Sequence, residues 1–553
     1  EAMHVGSYLH CTGETMVELQ KRAEKSRLGI PIIFGIDAIH GHCFENGATV
    51  FPTQLSLSSS WDKTMFEEMA RITAKEVRAC GLHWTFSPVL CVGRDTRWGR
   101  IDETFGEDPW LIGELAAAMV RGYQGDDLST GESILACAKH YAGYAESLGG
   151  RDAYESVVSR REMLSLFLPP FEKAVRQAGC ATLMAGYQAT DGVPCSADPW
   201  LLKEVPKNDW GMDGFVVTDW ANVDSLYDTQ FVAKSGKEAA YQAILAGNDM
   251  IMSSASFYDN AIELVREGRI NESLVEDSAT RILRQKFRLG LFDDRRHTDP
   301  GRRRIILGSE SHWRASLDAS RESLVLLKND GVLPIAETEG HSLLLTGANA
   351  DDVIAQLGDW SFGSMQAGAT DDSFHGKETI TLRQGLQNRC RDAGMSFQYI
   401  PGAGPASDLD EVAKVGEAAK QSDVVVVCVG DTLSEHGEFK DRSSLAFTGN
   451  QIALLETVRA SGTPFAVVLI ASKPLELAWV KEHANGLVCA FNPGAKGGTA
   501  VAECLFGDYN PSGKLTISFP YHAGQLPVYY NRYAGWHSTR NRSLKGQERY
   551  IDL

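Results

Sequence analysis

Four apolar runs in the first half of the chain end in residues that can bond hydroxyl groups or serve as carboxylates. Asp37 follows IPIIFGI, Lys139 and His140 follow ILACA, Tyr187 follows ATLMAG, and Asp219 with Trp220 follows GFVVT. Any one of these could be an ordinary polar residue where a strand meets water. Together they suit a site that grips a polyhydroxylated ligand and has a carboxylate to spend on chemistry. Trp220 adds an aromatic face of the kind sugar rings pack against, although a core tryptophan is common. The cluster RDTRWGR at 94–100, followed by Glu103, interleaves arginines with Trp, Gly and acids. That pattern suits internal pairing, with one guanidinium left to face a ligand.

These residues need a scaffold that brings strand ends together. The runs Ile30–Ile36, Leu82–Pro88, Ile134–Ala138, Ala181–Ala185, Gly214–Thr218 and Asp249–Met252 read as strands. Between them Met65–Ala79, Trp110–Tyr123, Glu162–Ala178 and Glu238–Ala246 carry apolar residues at three- and four-residue steps, the helical period. Strict alternation of this kind predicts a parallel sheet covered by helices. Its length favours a (β/α)8-like TIM barrel, incomplete or irregular because only six strands are clear, over an open doubly wound sheet. In a barrel the carboxyl ends of the strands share one rim.

The charged segment Asp294–Arg304 (DRRHTDPGRRR), with its Pro-Gly pair, reads as a linker. A helix at Ser311–Leu327 and a second alternation follow, with strands at Ser342–Thr346, Ser396–Ile400, Asp423–Val429, Phe465–Ile470 and Gly486–Phe491 and helices at Leu409–Gln421, Asn450–Ser461 and Gly498–Leu505. The expected organisation is a barrel domain over 1–300, an α/β sandwich over 301–530 and a polar tail over 531–553.

Five hundred and fifty-three residues exceed one hydrophobic core, and 43% hydrophobic with 23% charged residues is ordinary globular composition. A net charge of −18 argues against a partner with a phosphate backbone. The longest apolar runs, Val424–Val429 and Phe465–Ala471, are strand-sized, so no membrane span is expected. The first residues show no signal peptide. Eleven cysteines form no CxxC pair or zinc-type spacing; Cys137, Cys428 and Cys489 read as buried small hydrophobes. No metal or cofactor is expected.

GIDAIHGH, RDTRWGR, ACAKHY, MAGYQATDGVP and GFVVTDW, in this order, resemble the signatures of glycoside hydrolase family 3. LLKNDGVLPI (326–335), GEFKDRSSL (437–445), GNQ (449–451), NPG (492–494) and GDYNPSGKLTISFP (507–520) resemble motifs of that family's second domain, so the likeness spans nearly the whole chain. It is nearest to the β-glucosidase branch. The resemblance implies a two-step retaining mechanism with Asp219 as nucleophile and Glu438 as acid/base, Glu435 being the rival three residues away. It also implies that Asp37, Arg100, Lys139 and His140 bond the nonreducing-end sugar, that Tyr187 lies beside the nucleophile, and that Trp220 borders the aglycone. Glycoside displacement needs one ionised carboxylate and one carboxylic acid, about 5–5.5 Å apart for retention. An interdomain cleft would supply that pair and raise the glutamate's pKa.

The Asp of GIDAIHG resembles the glucosidase pattern, whereas the family's xylosidases usually carry Glu in an EALHG-type segment. KHYAGYAESLGGRD lacks the KHFPGHG-type histidine of the N-acetylglucosaminidases. An exo-acting β-D-glucosidase is therefore expected, taking a small saccharide, working without a cofactor, and periplasmic or secreted. The alternatives are a β-xylosidase or dual-specificity glycosidase, a phosphorylase, and a catalytically silent carbohydrate-binding relative. Two departures stand out: the family's usual acidic, Lys-containing helix upstream of the first motif is not found, and the sequence given stops at Leu553, where many members of the family continue into a fibronectin-like third domain.

Overall fold

The computed structural model describes residues 5–364, 366, 378–405 and 411–533. In its first half β1 (Ser7–Leu9), β2 (Ile33–Ile36) and β3 (Trp84–Thr85) pair in parallel. β4 (Cys137–Tyr141) and β5 (Thr182–Ala185) start a second parallel set. A short hairpin, β6 (Ala189–Thr190) and β7 (Val193–Pro194), intervenes before β8 (Phe215–Val217) joins β5. Single parallel bridges link Trp84 to Leu135, Val89 to Lys139 and Val217 to Met250. Ser7 Oγ donates to Met250 Sδ at 3.2 Å, which returns the last segment to the first. The described residues thus make an irregular barrel of seven parallel segments.

The sequence shows six of these segments. The seventh, β1, is three half-buried residues, too short for any apolar period to register. Outside the ring, helix Lys63–Ala79 lies against helix Pro109–Gln124 with backbone-level closeness: a Cβ on Gly122 would stand 2.4 Å from the Glu67 carbonyl. The stretch expected as one helix over Glu162–Ala178 is instead broken. A capping box between Ser159 and Glu162 starts it, a π-helical turn covers Met163–Phe167, and Pro169–Pro170 restart it as an α-helix. Proline lacks the amide that an unbroken ladder would need.

The Asp294–Arg304 segment departs from a simple linker. Pro300–Ile306 is helical, with Pro300 at the first position and the Asp299 carboxylate accepting from the Gly301 and Arg302 amides. Proline and aspartate there are start signals for a helix rather than turn residues. Arg302 and Arg303 then tie it to the Gly131 carbonyl and Glu45 of the barrel.

In the second half the helix expected to reach Leu327 ends at Glu322, and β9 (Val325–Asn329) begins. β10 (Ser342–Thr346), β11 (Ser396–Ile400), β12 (Val424–Gly430), β13 (Phe465–Ile470) and β14 (Gly486–Cys489) follow. The sheet order is β11-β10-β12-β13-β14-β9, all parallel except β9, which pairs antiparallel with β14. That antiparallel edge pairing is the tertiary gain that ends the helix early. Of the expected helix Leu409–Gln421, Val412–Ala419 is helical; residues 409–410 and the tail from 534 onward lie outside the described residues.

β12, VVVVCVG, is buried along its whole length, as a central parallel strand must be. Its faces alternate. Val425, Val427 and Val429 join a core that includes Trp98, Ile101 and Tyr144 of the barrel, while Val426 and Cys428 pack under the helices on the far side. One apolar core therefore runs from sandwich into barrel. All eleven cysteines are unpaired, and Cys137, Cys428 and Cys489 are buried as expected.

Candidate active site

The barrel rim and one loop of the sandwich converge on a single cluster. Asp37 follows β2 directly and is 4% exposed. Lys139 Nζ donates to its Oδ1 at 2.7 Å, and His10 Nε2 lies 2.9 Å from its Oδ2. Burial alone would raise the carboxyl's pKa, but Lys139 and His10 outweigh it and hold the group down at about 2. Phe44 packs on His10 at 5.1 Å and Trp360 on Phe44 at 6.4 Å, so rings wall off this end. Lys139 stands 4.8 Å from the centre of the Trp360 ring.

Lys139 and His140 lie inside β4 rather than after it. The register of β4 against β5 shifts between Ala138 and Tyr141, and such an irregularity re-aims side chains that a regular strand would send to alternate faces. Arg100, 1% exposed, is held by Glu103 through Nε at 2.6 Å and Nη2 at 3.0 Å. Its Nη2 also meets His140 Nε2 at 3.1 Å. A guanidinium only donates, so His140 Nε2 must accept and the ring is the neutral Nδ1–H tautomer. Burial, then Arg100 and Lys139, push its pKa well below the usual value, in agreement. Arg100 Nη1 reaches Glu438 Oε1 at 3.2 Å across the interdomain boundary.

Asp219, two residues past β8, lies 3.8 Å from His140 Nε2, too far for a hydrogen bond. The Trp220 amide donates to its Oδ1 at 2.7 Å, and the Tyr187 hydroxyl bonds to its carboxylate. Burial raises its pKa, while Lys139 and Arg100 oppose the rise. Glu438 accepts from Gln366 Nε2 at 3.0 Å. Burial, with Asp219 and Glu103 adding to it against Arg100, pushes its pKa up to about 7. Burial thus raises the pKa of both carboxyls; Asp219 is held by the Trp220 amide and the Tyr187 hydroxyl, while Glu438, on Arg100 and Gln366, is poised to hold a proton near neutrality.

The loop carrying Glu438 is docked backbone to backbone. The Gly437 amide donates to the Gly99 carbonyl at 2.8 Å and the Arg442 amide to the Arg97 carbonyl at 2.9 Å. Asp441 accepts from the Gly99 amide at 2.8 Å and the Asp152 amide at 2.7 Å. Lys473 Nζ, buried, donates to the Trp98 carbonyl at 2.7 Å. The rival Glu435 faces Arg442 instead, at 3.7 Å.

The residues singled out in the sequence thus meet in one cleft, with Trp220 at its edge, 55% exposed and beside Asp219. Phe439, 68% exposed, lies next to Glu438 with a left-handed φ of 65°. The sequence did not reveal His10, Trp360, Gln366, Asp152, Asp441 or Lys473. His10 obeys the strand-end rule, since it follows β1, but that strand went unread. The others sit in loops whose pattern carries no period.

Residues 9–285 match the model of the glycosyl hydrolase family 3 N terminal domain and residues 324–550 that of the family's C-terminal domain. A beta-xylosidase of Formosa agariphila is 33% identical over 98% of this chain and 75% of its own length. A periplasmic beta-glucosidase of Salmonella typhimurium is 32% identical over 95% of this chain and 70% of its own. A solved beta-glucosidase involved in saponin metabolism from intestinal bacteria has 42% identity and a TM-score of 0.92, covering 97% of this chain and 76% of that one. A barrel rim and a sandwich loop sharing one carboxylate-lined cleft, matched by both family models, make this chain a member of glycosyl hydrolase family 3 and a glycoside hydrolase.

Proposed function

We propose that the chain is a retaining, exo-acting β-D-glucosidase in which Asp219 attacks the anomeric carbon and Glu438 protonates the leaving oxygen. The observation that carries this reading is Glu438 itself: burial pushes its pKa up to about 7, and the docked sandwich loop that bears it sets it against Arg100 of the barrel rim, where it feels the charge of Asp219. In the first step the Asp219 oxygen bonds to the sugar as the glycosidic C–O bond breaks and Glu438 gives its proton to the departing oxygen. In the second, Glu438 takes a proton from water, which displaces Asp219 from the opposite face and restores the starting configuration.

Asp37, Lys139, His140 and Arg100 would bond the hydroxyls of the terminal glucose, with Tyr187 beside the nucleophile. The ring wall at the Asp37 end supports exo action, because a chain could not continue past it. Trp220 and Phe439 would flank the leaving group at the open side. The Salmonella relative's name supports a periplasmic or secreted location. A second reading, a β-xylosidase, rests on the name of the Formosa relative. A panel of aryl β-glucosides and β-xylosides with proton NMR of the first-formed sugar tests both: glucoside preference and a β-anomer product are expected. A xyloside preference would install the second reading, and an α-anomer would refute retention.

A further inference from the structure

His42, Glu45 and Cys80 have no part in the cleft's hydrogen bonds, yet one ligand atom of each lies within 4.8 Å of those of the other two. His42 and Glu45 are on the loop after β2, and Cys80 caps the C-terminus of helix Lys63–Ala79. His42 is 1% exposed and neither of its ring nitrogens has a hydrogen-bond partner. A buried imidazole left unsatisfied on both sides demands an explanation.

We propose that His42, Glu45 and Cys80 form a zinc site that fastens the β2 loop to the barrel helix. A borderline nitrogen, a thiolate and a carboxylate suit zinc and disfavour magnesium or calcium, which take oxygen ligands. Zinc–ligand bonds of about 2.0–2.3 Å set tetrahedral ligand atoms roughly 3.3–3.8 Å apart, so closure from the observed spacing needs shifts of about 1 Å. Three protein ligands leave the fourth position to water. Glu45 presents a half-open side, its side chain 20% exposed, through which an ion can enter.

Arg303 is the competitor. Its guanidinium bonds Glu45 and also meets Cys80, serving as the cluster's cation. Its side chain is 41% exposed and can swing into water. Zinc binding would release the Cys80 thiol proton to solvent and displace Arg303. The two anionic ligands, thiolate and carboxylate, then balance the charge of the ion.

The test uses the whole chain stripped with chelator and refilled with zinc chloride alone. One tightly held equivalent per chain is expected, with a raised unfolding temperature that magnesium and calcium chloride do not reproduce. Cobalt chloride in place of zinc should give an intense thiolate-to-cobalt charge-transfer band. His42→Ala and Cys80→Ser should each weaken zinc at least about 100-fold, beyond the 10–100-fold typical of losing a mere second-layer partner. Arg303→Met should strengthen it. Zinc retained unchanged by both ligand variants would overturn the proposal, as would failure of wild type and Arg303→Met alike to hold an equivalent. Should a ligand variant fail to fold, the cobalt band of the unaltered chain decides, and its absence overturns the site.

Discussion

Glu438 and Glu435 are three residues apart in one loop, yet only Glu438 touches Arg100 and feels Asp219. Acid assistance matters for a poor leaving group and little for a stable anion. Glu438→Ala should therefore slow cellobiose by about 10²–10⁴-fold and a dinitrophenyl glucoside far less. Azide, which needs no general base, should restore turnover and yield the β-glucosyl azide; the same pattern in Glu435→Ala alone would reassign the acid. If Glu438 is the acid, as proposed, it must be protonated, and since its pKa is pushed up to about 7, kcat/KM should fall as pH rises through about 7. Glu438→Ala assayed on the activated substrate should lack that limb. Asp37→Ala leaves Lys139 without its buried partner and, on the proposed reading, breaks the set that bonds the sugar's hydroxyls. Glucosides should then lose orders of magnitude more kcat/KM than xylosides, and an equal loss on both would show Asp37 to be structural.

At the scale of elements, the docking loop is what makes Glu438 an interdomain residue. Asp441 holds the amides of Gly99 and Asp152, one from each of two barrel loops, and so acts as a positioning residue. An ångström of misplacement at a reacting group can cost about 10²-fold. Asp441→Ala should lower kcat on cellobiose by up to about 100-fold while sparing the activated aryl glucoside, with folding intact by circular dichroism. Equal losses on both substrates would mean general damage rather than a displaced acid. The β4 irregularity belongs to the same scale. It lets Lys139 and His140, neighbours in sequence, both serve the cleft, Lys139 on Asp37 and His140 on Arg100.

Across the whole molecule, a charged seam accompanies the shared apolar core between barrel and sandwich. Lys473 is fully buried at that seam, with Asp431 and Asp102 opposing the pKa drop that burial causes. Lys473→Met removes the bond to the Trp98 carbonyl and a charge that Asp431 and Asp102 feel, while Asp431 keeps its bonds from the Ser472 amide and hydroxyl. Leaving the buried Trp98 carbonyl without its charged donor should cost about 1–3 kcal/mol, which denaturant unfolding will read directly. Asp37 makes a pH-dependent contribution of the opposite origin. Its folded pKa of about 2 lies below the ordinary 3.8, so the stability it supplies is full above that value and drains away as pH falls toward about 2. The loss should be about 2 kcal/mol, and Asp37→Asn unfolding curves should lack that acid-side slope.

The sequence by itself determined what repeats locally. Apolar period and strand-end polarity marked Asp37, Tyr187 and Asp219 as strand-end residues, because strand periodicity and helix spacing are set within a few residues; Lys139 and His140, expected after their strand, lie inside β4. It also marked Asp423–Val429 as a strand, while its central place in the sheet came only from the fold. It could not show β1, too short for a period, and so missed His10, which obeys the same rule. The helical start at Pro300 was legible in its Asp-Pro pair but read as a turn, since both structures use those residues. Only the tertiary structure decided which glutamate meets Arg100, which lies 338 residues away in sequence. It alone placed Trp360 over Lys139 and left the imidazole of His42 without a partner. Those outcomes depend on how two sheets dock and on what burial does to charge, and no local pattern encodes either.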